Sequence, residues 1–222
     1  MITDVDDVVT GIYCIVDDLW QQIRSLFARP GPAPDGSDSE LITMAIVGEC
    51  RGWKQETALM STWQERRHVF PLIPERSRFN RRRRAVPQGI NLIRRVVLDR
   101  RDLAQDPYCA VDSVPVPVVP FHLVPHAARD WATHGATFGN VVTKKQTMFG
   151  YKLHLLVTVN GVIVDVHVAP AHVADRTVVG AALLAEHPDV TVLGDNGYVS
   201  APLLADLAAT NRIHLVTPLR RN

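Results

Sequence analysis

Residues 148–168, MFGYKLHLLVTVNGVIVDVHV, carry the clearest secondary-structure pattern in the chain. Apolar residues alternate with other residues on both sides of Asn160-Gly161, a dipeptide that favours a two-residue hairpin turn. A turn of this length pairs Val159 with Val162. We therefore predict a β-hairpin in this segment.

The register of the hairpin decides which side chains share a face. Continuing the pairing places Leu155 opposite Val166 and His154 opposite His167. We expect the valine-rich face to be buried, because apolar side chains drive the packing of a sheet. The opposite face then carries Lys152, His154, Asp165 and His167.

The segments around the hairpin predict an α/β domain. Further strands are expected at 108–119, 190–193 and 213–217, and helices after Asp175 and Ser200, which are suited to capping them. Residues 120–147 are polar and rich in Pro, His and Gly, so we expect a loop there. A mixed sheet with helices on both faces has this order of elements.

The first hundred residues have a helical pattern instead. A helix is predicted over 1–28 and a Pro- and Gly-rich linker over 29–36. Ser37 or Asp38 is expected to cap a second helix, and a basic helix is expected from about Ser77. Short helices that end in a basic one are typical of DNA-binding domains, although many helical domains share the pattern.

The net charge of +1 conceals a strongly basic segment. Residues 76–101 contain ten arginines and one acid, Asp99, whereas residues 1–75 contain twice as many acids as bases. A polyanion such as DNA is the expected partner, because arginines that neutralise phosphates release counterions. The alternative is an arginine-rich helix face paired with the acidic N-terminal segment.

Composition excludes several classes of protein. With 222 residues, 46% hydrophobic and 21% charged, the chain is not wholly disordered. No apolar run is long enough for a transmembrane helix, and the N-terminus is acidic where a signal peptide is basic. The three cysteines are far apart and predict neither a disulfide framework nor a metal motif, so a cytoplasmic location is expected.

Two aspartates are the first candidates for chemistry. Asp112 lies within the strand predicted at 108–119, and Asp195 follows the apolar strand at 190–193. An acid in or at the end of a buried strand is costly unless it is paired, hydrogen-bonded or bound to a metal. Two acids on neighbouring strands can hold Mg²⁺. The alternative is that Asp112 has a structural role and Asp195 only begins a turn.

Histidines are the second candidates. His154 and His167 are cross-strand neighbours in the predicted register, and His172 follows nearby. A zinc hydrolase would need three protein ligands and one open position. Polar residues on a partly exposed face are the commoner explanation of this pattern.

Four short motifs resemble the DDE transposases of bacterial insertion sequences. Their order along the chain is also that of the family, and the resemblance covers nearly the whole chain. The motifs are RSRFNRR at 76–82, VDSVPV at 111–116, FGYKLH at 149–154 and LGDNGY at 193–198.

The resemblance implies a helical DNA-binding region over 1–101 and an RNase H-like catalytic domain over 106–222. It implies Mg²⁺ or Mn²⁺ as the cofactor, in a two-metal site whose first and second acids match Asp112 and Asp195. The implied reaction is cleavage of DNA at terminal inverted repeats and transfer to target DNA, by a homodimer or larger assembly on DNA. The expected DNA-binding residues are Arg76, Arg78, Arg81, Arg82, Arg83, Arg84 and Lys152.

The third acid of the family is not matched. It is usually a Glu on a helix after the last strand, whereas this sequence stops at Asn222, soon after the strand at 213–217. Glu186 precedes Asp195 and lies on the wrong helix. We therefore expect a transposase reading frame that lacks its C-terminal part, with weakened metal binding.

Two other functions remain open at this point. The chain is either a catalytically incomplete transposase that acts as a DNA-binding protein or inhibitor, or a metal-dependent nuclease or hydrolase unrelated to transposition. The first alternative predicts DNA binding without cleavage, and the second predicts cleavage that does not depend on inverted repeats.

Overall fold

The computed structural model describes residues 4–31, 34–141 and 146–218. The chain divides into two compact units, residues 1–100 and residues 101–222, here called the N-terminal and C-terminal units. Within the described residues, none of the helices combines the length and apolar character needed to cross a membrane.

The N-terminal unit is helical. A 3-10 turn at Arg24–Phe27 follows its first helix. Its helices are α1 (Val5–Ile23), α2 (Asp38–Cys50), α3 (Glu56–Glu65), α4 (Arg76–Arg83) and α5 (Pro87–Arg100). Ser37 caps α2, as expected, and forms a capping box with Glu40. The basic segment forms two helices rather than one, since α4 ends just before Pro87, which begins α5.

The core of the N-terminal unit is made by aromatic and aliphatic side chains from all parts of this unit. Trp63 and Phe79 are almost fully buried in it. Trp20 stacks on Phe27, and Trp63 packs edge-on to Trp53. Phe79 places one face of α4 against this core.

The C-terminal unit contains a six-stranded mixed sheet. The strands are β1 (Tyr108–Val119), β2 (Thr137–Val141), β3 (Gln146–Thr158), β4 (Ile163–Pro170), β5 (Thr191–Leu193) and β6 (His214–Val216). The order is β2-β3-β1-β5-β6, and β4 also pairs with β3. The β1–β3, β2–β3 and β3–β4 pairs are antiparallel, whereas β1–β5 and β5–β6 are parallel.

Helices connect the strands. They are α6 (Val124–Thr133), α7 (Asp175–Val178), which continues as a π-helical turn over Val179–Leu183, and α8 (Ala201–Asn211). Val179, Leu183 and Leu207 from these helices are fully buried in one core with Leu156 and Val192 of the sheet.

The prediction of a loop over residues 120–147 is wrong for the residues of this segment that the structure describes. This stretch contains α6 and β2. Val124, Ala136 and Phe149 form a small buried cluster with Val119, and β2 pairs with the start of β3. The packing of this cluster stabilises α6 and β2 in a segment whose composition alone favours a loop.

The predicted hairpin register is confirmed, since Leu155 pairs with Val166 and His154 with His167. The turn is longer than predicted, because a bulge shifts the register near Val157 and the strands are joined through residues 159–162.

The predicted burial of the valine face is wrong. Val166 and Val168 are 40% and 56% exposed, whereas His154 and Leu156 on the other face are fully buried. The helical segments pack on the face of His154, where Leu156 and Ala169 supply apolar surface. Alternation determines which residues share a face, but the covering helices determine which face is buried.

Candidate active site and basic helix

The register of β1 and β5 brings Asp112 and Asp195 to the same end of the sheet. The parallel pairing joins Tyr108 to Thr191 and Ala110 to Leu193. Each aspartate lies two residues beyond the last of these pairs, where β5 ends. Asp195 therefore lies just beyond the end of β5, and Asp112 lies at the corresponding position within β1, which continues to Val119.

Both aspartates are exposed and are oriented by their own backbone. Asp112 Oδ1 accepts a hydrogen bond from the Ser113 N–H at 2.7 Å. Asp195 caps a 3-10 turn over Asn196–Tyr198, and its Oδ1 accepts from the Gly197 N–H at 2.8 Å. These local bonds fix the two carboxylates without burying them.

Tyr198 ends the 3-10 turn that Asp195 caps and is almost fully buried. Burial is the main cause of its raised pKa, and the negative charges of Asp175, Asp112 and Asp195 raise this pKa further. One buried phenol therefore lies within electrostatic reach of all three carboxylates. Asp175 was expected only to cap a helix, so its place here was missed by sequence reasoning.

Asp175 does not cap its helix. It is the first residue of α7, Ala174 takes the cap position, and no side chain makes a capping bond there. Asp175 Oδ1 instead accepts a hydrogen bond from Lys152 Nζ at 2.9 Å. The signal for this contact was weak, because the two residues are far apart in sequence and lie on different elements.

The resemblance predicts that Lys152 contacts DNA, but in the structure its ammonium forms hydrogen bonds with acceptors of the protein itself. Besides its bond to Asp175, Lys152 Nζ donates to the Val173 carbonyl at 3.0 Å. Its side chain is 17% exposed. The ammonium is thus held by two acceptors near the site, and we leave Lys152 out of the DNA-binding set proposed below.

His154 and His167 do not form a metal site. They are paired as predicted, but His154 is fully buried and neither ring nitrogen has a hydrogen-bond partner. Burial is the main cause of its lowered pKa, so the ring is neutral at neutral pH. Across the described ranges, no group of three or more His, Cys, Asp or Glu side chains is arranged to hold a metal ion.

The oxygen atoms of Asp112 and Asp195 nevertheless suit Mg²⁺. Carboxylates are preferred ligands of this cation, which is commonly bound through one or two carboxylates, with water and substrate phosphates completing the octahedron. The exposure of both side chains leaves room for such ligands. The donor set therefore fits the cation, although these two residues alone do not enclose it.

The arginines of α4 differ in their surroundings. Three of them are exposed at the surface, Arg76, Arg78 and Arg81, as is Arg84, which follows the helix as its C-cap residue. Arg83 is partly exposed, lies 3.9 Å from Glu56 and stacks near the Phe79 ring. These side chains give the helix a basic surface.

Arg82 is the exception within this group. It is 9% exposed and donates to Asp38 at 2.9 Å and to the backbone carbonyls of Asp35 and Gly36. Asp38 also binds Arg29 at 2.6 Å. Arg82 therefore fastens α4 to the linker before α2 and is not available to a phosphate.

A six-stranded mixed sheet with flanking helices defines an α/β domain of the RNase H-like class. Residues 104–222 match the family model of the transposase DDE domain, and the chain belongs to that family. Comparison with curated proteins and with solved structures gave no match. The expected fold class and family are confirmed, and the domain indicates a transposase function with DNA as the substrate.

Proposed function

We propose that this protein is an insertion-sequence transposase that binds the ends of its element and cleaves and transfers DNA strands with the help of Mg²⁺. The observation that supports the proposal is the β1–β5 register in a domain of the DDE family, since Asp112 and Asp195 each follow by two residues the last pair of that register. In this proposal residues 1–100 supply DNA binding and residues 101–222 supply catalysis, in a homodimer or larger assembly on DNA.

The N-terminal unit supports the DNA-binding part through α4. The proposed phosphate contacts are Arg76, Arg78, Arg81 and Arg84, with Arg83 at the margin of the same surface. Arginine forms bidentate hydrogen bonds with phosphate and keeps its charge at any physiological pH. Contacts of this kind position a protein on DNA but carry no sequence information themselves.

The C-terminal unit supports the catalytic part through its carboxylates. When bound, divalent cations activate the attacking oxygen and stabilise the leaving oxygen in phosphoryl transfer. Asp112 and Asp195 would hold the cation, with one oxygen of each already fixed by a backbone N–H. The buried Tyr198 ring supports the turn that carries Asp195.

A nicking assay tests the proposal. The purified chain is incubated with Mn²⁺ and a supercoiled plasmid that carries the genomic flanks of its own reading frame. We expect nicking by the native chain and by Asp206→Asn, an exposed acid on α8, and a loss of at least about 100-fold in Asp112→Asn and Asp195→Asn.

The outcomes separate the three functions. Equal binding of the flanks by the native chain and Asp112→Asn, with no nicking by either, would identify a DNA-binding protein without catalysis. Equal nicking of a plasmid that lacks the flanks would identify a nuclease unrelated to transposition. Nicking that survives both aspartate substitutions would overturn the proposed site.

A further inference from the structure

We propose that Lys152 is a positioning residue for Asp195. Its ammonium neutralises Asp175, which would otherwise repel the Asp195 carboxylate from the backbone hydrogen bond that holds it in place. This inference rests on the proposed function, in which Asp195 is a residue of the active site. The role differs from the DNA contact that the family resemblance implies for Lys152.

The ion pair of Lys152 and Asp175 joins two separate elements. Lys152 lies on β3, and Asp175 is the first residue of α7. Lys152 Nζ donates to Asp175 Oδ1 at 2.9 Å and to the Val173 carbonyl at 3.0 Å. The two side chains are 17% and 27% exposed, so water screens the pair only in part.

Asp175 lies close to the turn that carries Asp195. Helix α7 packs against this 3-10 turn, Asn196–Tyr198. A Cβ atom at Gly197 would lie 3.9 Å from Asp175 Oδ2 and 3.0 Å from Asp195 Oδ1. Two carboxylate oxygens from different elements therefore approach the same glycine.

Negative charge is concentrated around this turn. Burial is the main cause of the raised pKa of Tyr198, and three carboxylates raise this pKa further: Asp175, Asp112 and Asp195. Like charges in one neighbourhood repel each other. A cation beside one of them lowers this repulsion, and Lys152 supplies that cation at Asp175.

The Asp195 carboxylate is held by a bond within its own turn. Its Oδ1 accepts a hydrogen bond from the Gly197 N–H at 2.8 Å, and the bond is exposed to water. The net free energy of such a bond is small, so an uncompensated charge next to it is enough to displace the carboxylate. Removing the charge of Lys152 while Asp175 keeps its own should therefore release the Gly197 N–H.

NMR spectroscopy of the Gly197 amide in the full chain tests the inference. Asparagine labelled with ¹³C at its carbonyl and glycine labelled with ¹⁵N select the two Asn-Gly peptide bonds of the chain, at Gly161 and Gly197. Asp195→Ala removes the acceptor and gives the amide shift of a released Gly197. We expect Lys152→Met to move the Gly197 amide proton toward that shift, whereas Gly161 in the hairpin turn keeps its native position.

The double variant Lys152→Met, Asp175→Asn separates charge from structure. It removes both charges of the pair, so the Gly197 signal should return to its native position. A merely structural role of Lys152 predicts that the double variant stays shifted, and that result would overturn the inference.

Lys152→Gln provides a second test should Lys152→Met not fold, as judged by circular dichroism. It removes the charge but keeps a donor for the Val173 carbonyl, and the same shift of the Gly197 amide proton is expected.

This experiment and the nicking assay can fail separately. Nicking that survives Asp195→Asn overturns the proposed active site but not the way in which Asp195 is held. A native Gly197 shift in Lys152→Met overturns the inference and leaves the proposed function standing.

Discussion

His154 is a polar residue in an apolar setting. It is fully buried on the face of β3 that also carries Leu156, and helical segments of the C-terminal unit cover this face. Burial lowers the pKa of the ring because a charged imidazolium is poorly solvated there. The sequence correctly predicted which residues share a face with His154, but it predicted the opposite face to be the buried one.

This burial predicts a pH-dependent stability. The His154 pKa is lower in the folded chain than its ordinary value of 6.5. Below that value the unfolded chain binds more protons at this residue, so the free energy of unfolding should fall as the pH falls from about 6.5. In His154→Leu the free energy of unfolding should fall less on acidification. Chemical denaturation at several values between about pH 8 and about pH 5 measures this difference.

The control for this prediction is His214→Gln, which changes an exposed histidine on β6. It should keep the native pH dependence. If His154→Leu and the native chain lose stability in parallel on acidification, the buried ring is not the source of the effect.

Arg81 and Arg82 show how adjacent residues of one type take different roles. Arg81 is exposed on α4, whereas Arg82 is 9% exposed and binds Asp38 together with two backbone carbonyls. A run of four arginines contains no local signal for this difference. The direction of each side chain on the helix, together with the linker that packs against α4, decides it.

At the scale of elements, two helical glycines differ in the space around them. Gly11 in α1 is exposed, and a Cβ there would meet no atom within 4 Å. Gly89 in α5 lies against Trp20, and a Cβ there would come within 2.4 Å of the indole ring. The same substitution should therefore have opposite effects at the two positions.

We expect Gly11→Ala to raise the free energy of unfolding by about 0.5–1 kcal/mol, because alanine restricts the unfolded chain and favours helix. Gly89→Ala should lower it by about 1–3 kcal/mol, because the buried Trp20 must move. Denaturant titration of the two variants measures both effects. A Gly89→Ala chain as stable as the native one would show that α1 and α5 do not pack as described.

The elements that sequence reasoning found are those with local signals. The β3–β4 register follows from alternation and the α2 cap from Ser37 and Glu40, which interact within four residues. The missed elements, α6 and β2, depend on contacts with Val119 and Phe149, which lie outside both elements. Local composition does not record contacts of this kind.

At the scale of the whole molecule, the basic surface of α4 and the candidate acidic site belong to two different units. The basic surface of α4 belongs to residues 1–100, and the carboxylates belong to residues 101–222, each unit having its own apolar core. The family match covers residues 104–222 and so leaves the function of the N-terminal unit as a proposal.

Salt dependence of DNA binding tests that proposal. If Arg81 and Arg84 each contact a phosphate, their joint replacement by alanine should weaken binding and reduce the slope of log K against log salt by about 2, because fewer counterions are released. Fluorescence anisotropy with a labelled duplex at several salt concentrations measures this slope.

Arg212→Ala is the control for the slope. Arg212 is exposed and ion-paired with Asp189, so its removal should leave the slope near the native value. An unchanged slope in the Arg81→Ala, Arg84→Ala double variant would remove the basic surface of α4 from the DNA interface.

The sequence by itself determined the family, the hairpin register, the helix cap, the basic segment and the two candidate aspartates, one within a strand and one just after a strand. Each of these depends on residues that are neighbours in the chain or on short motifs. Only the tertiary structure decided which face of the sheet is buried, that Arg82 is internal, and that Asp175 pairs with Lys152 beside Gly197. The reason is physical: periodicity fixes which side chains share a face, whereas burial and ion pairing depend on what distant segments place against that face.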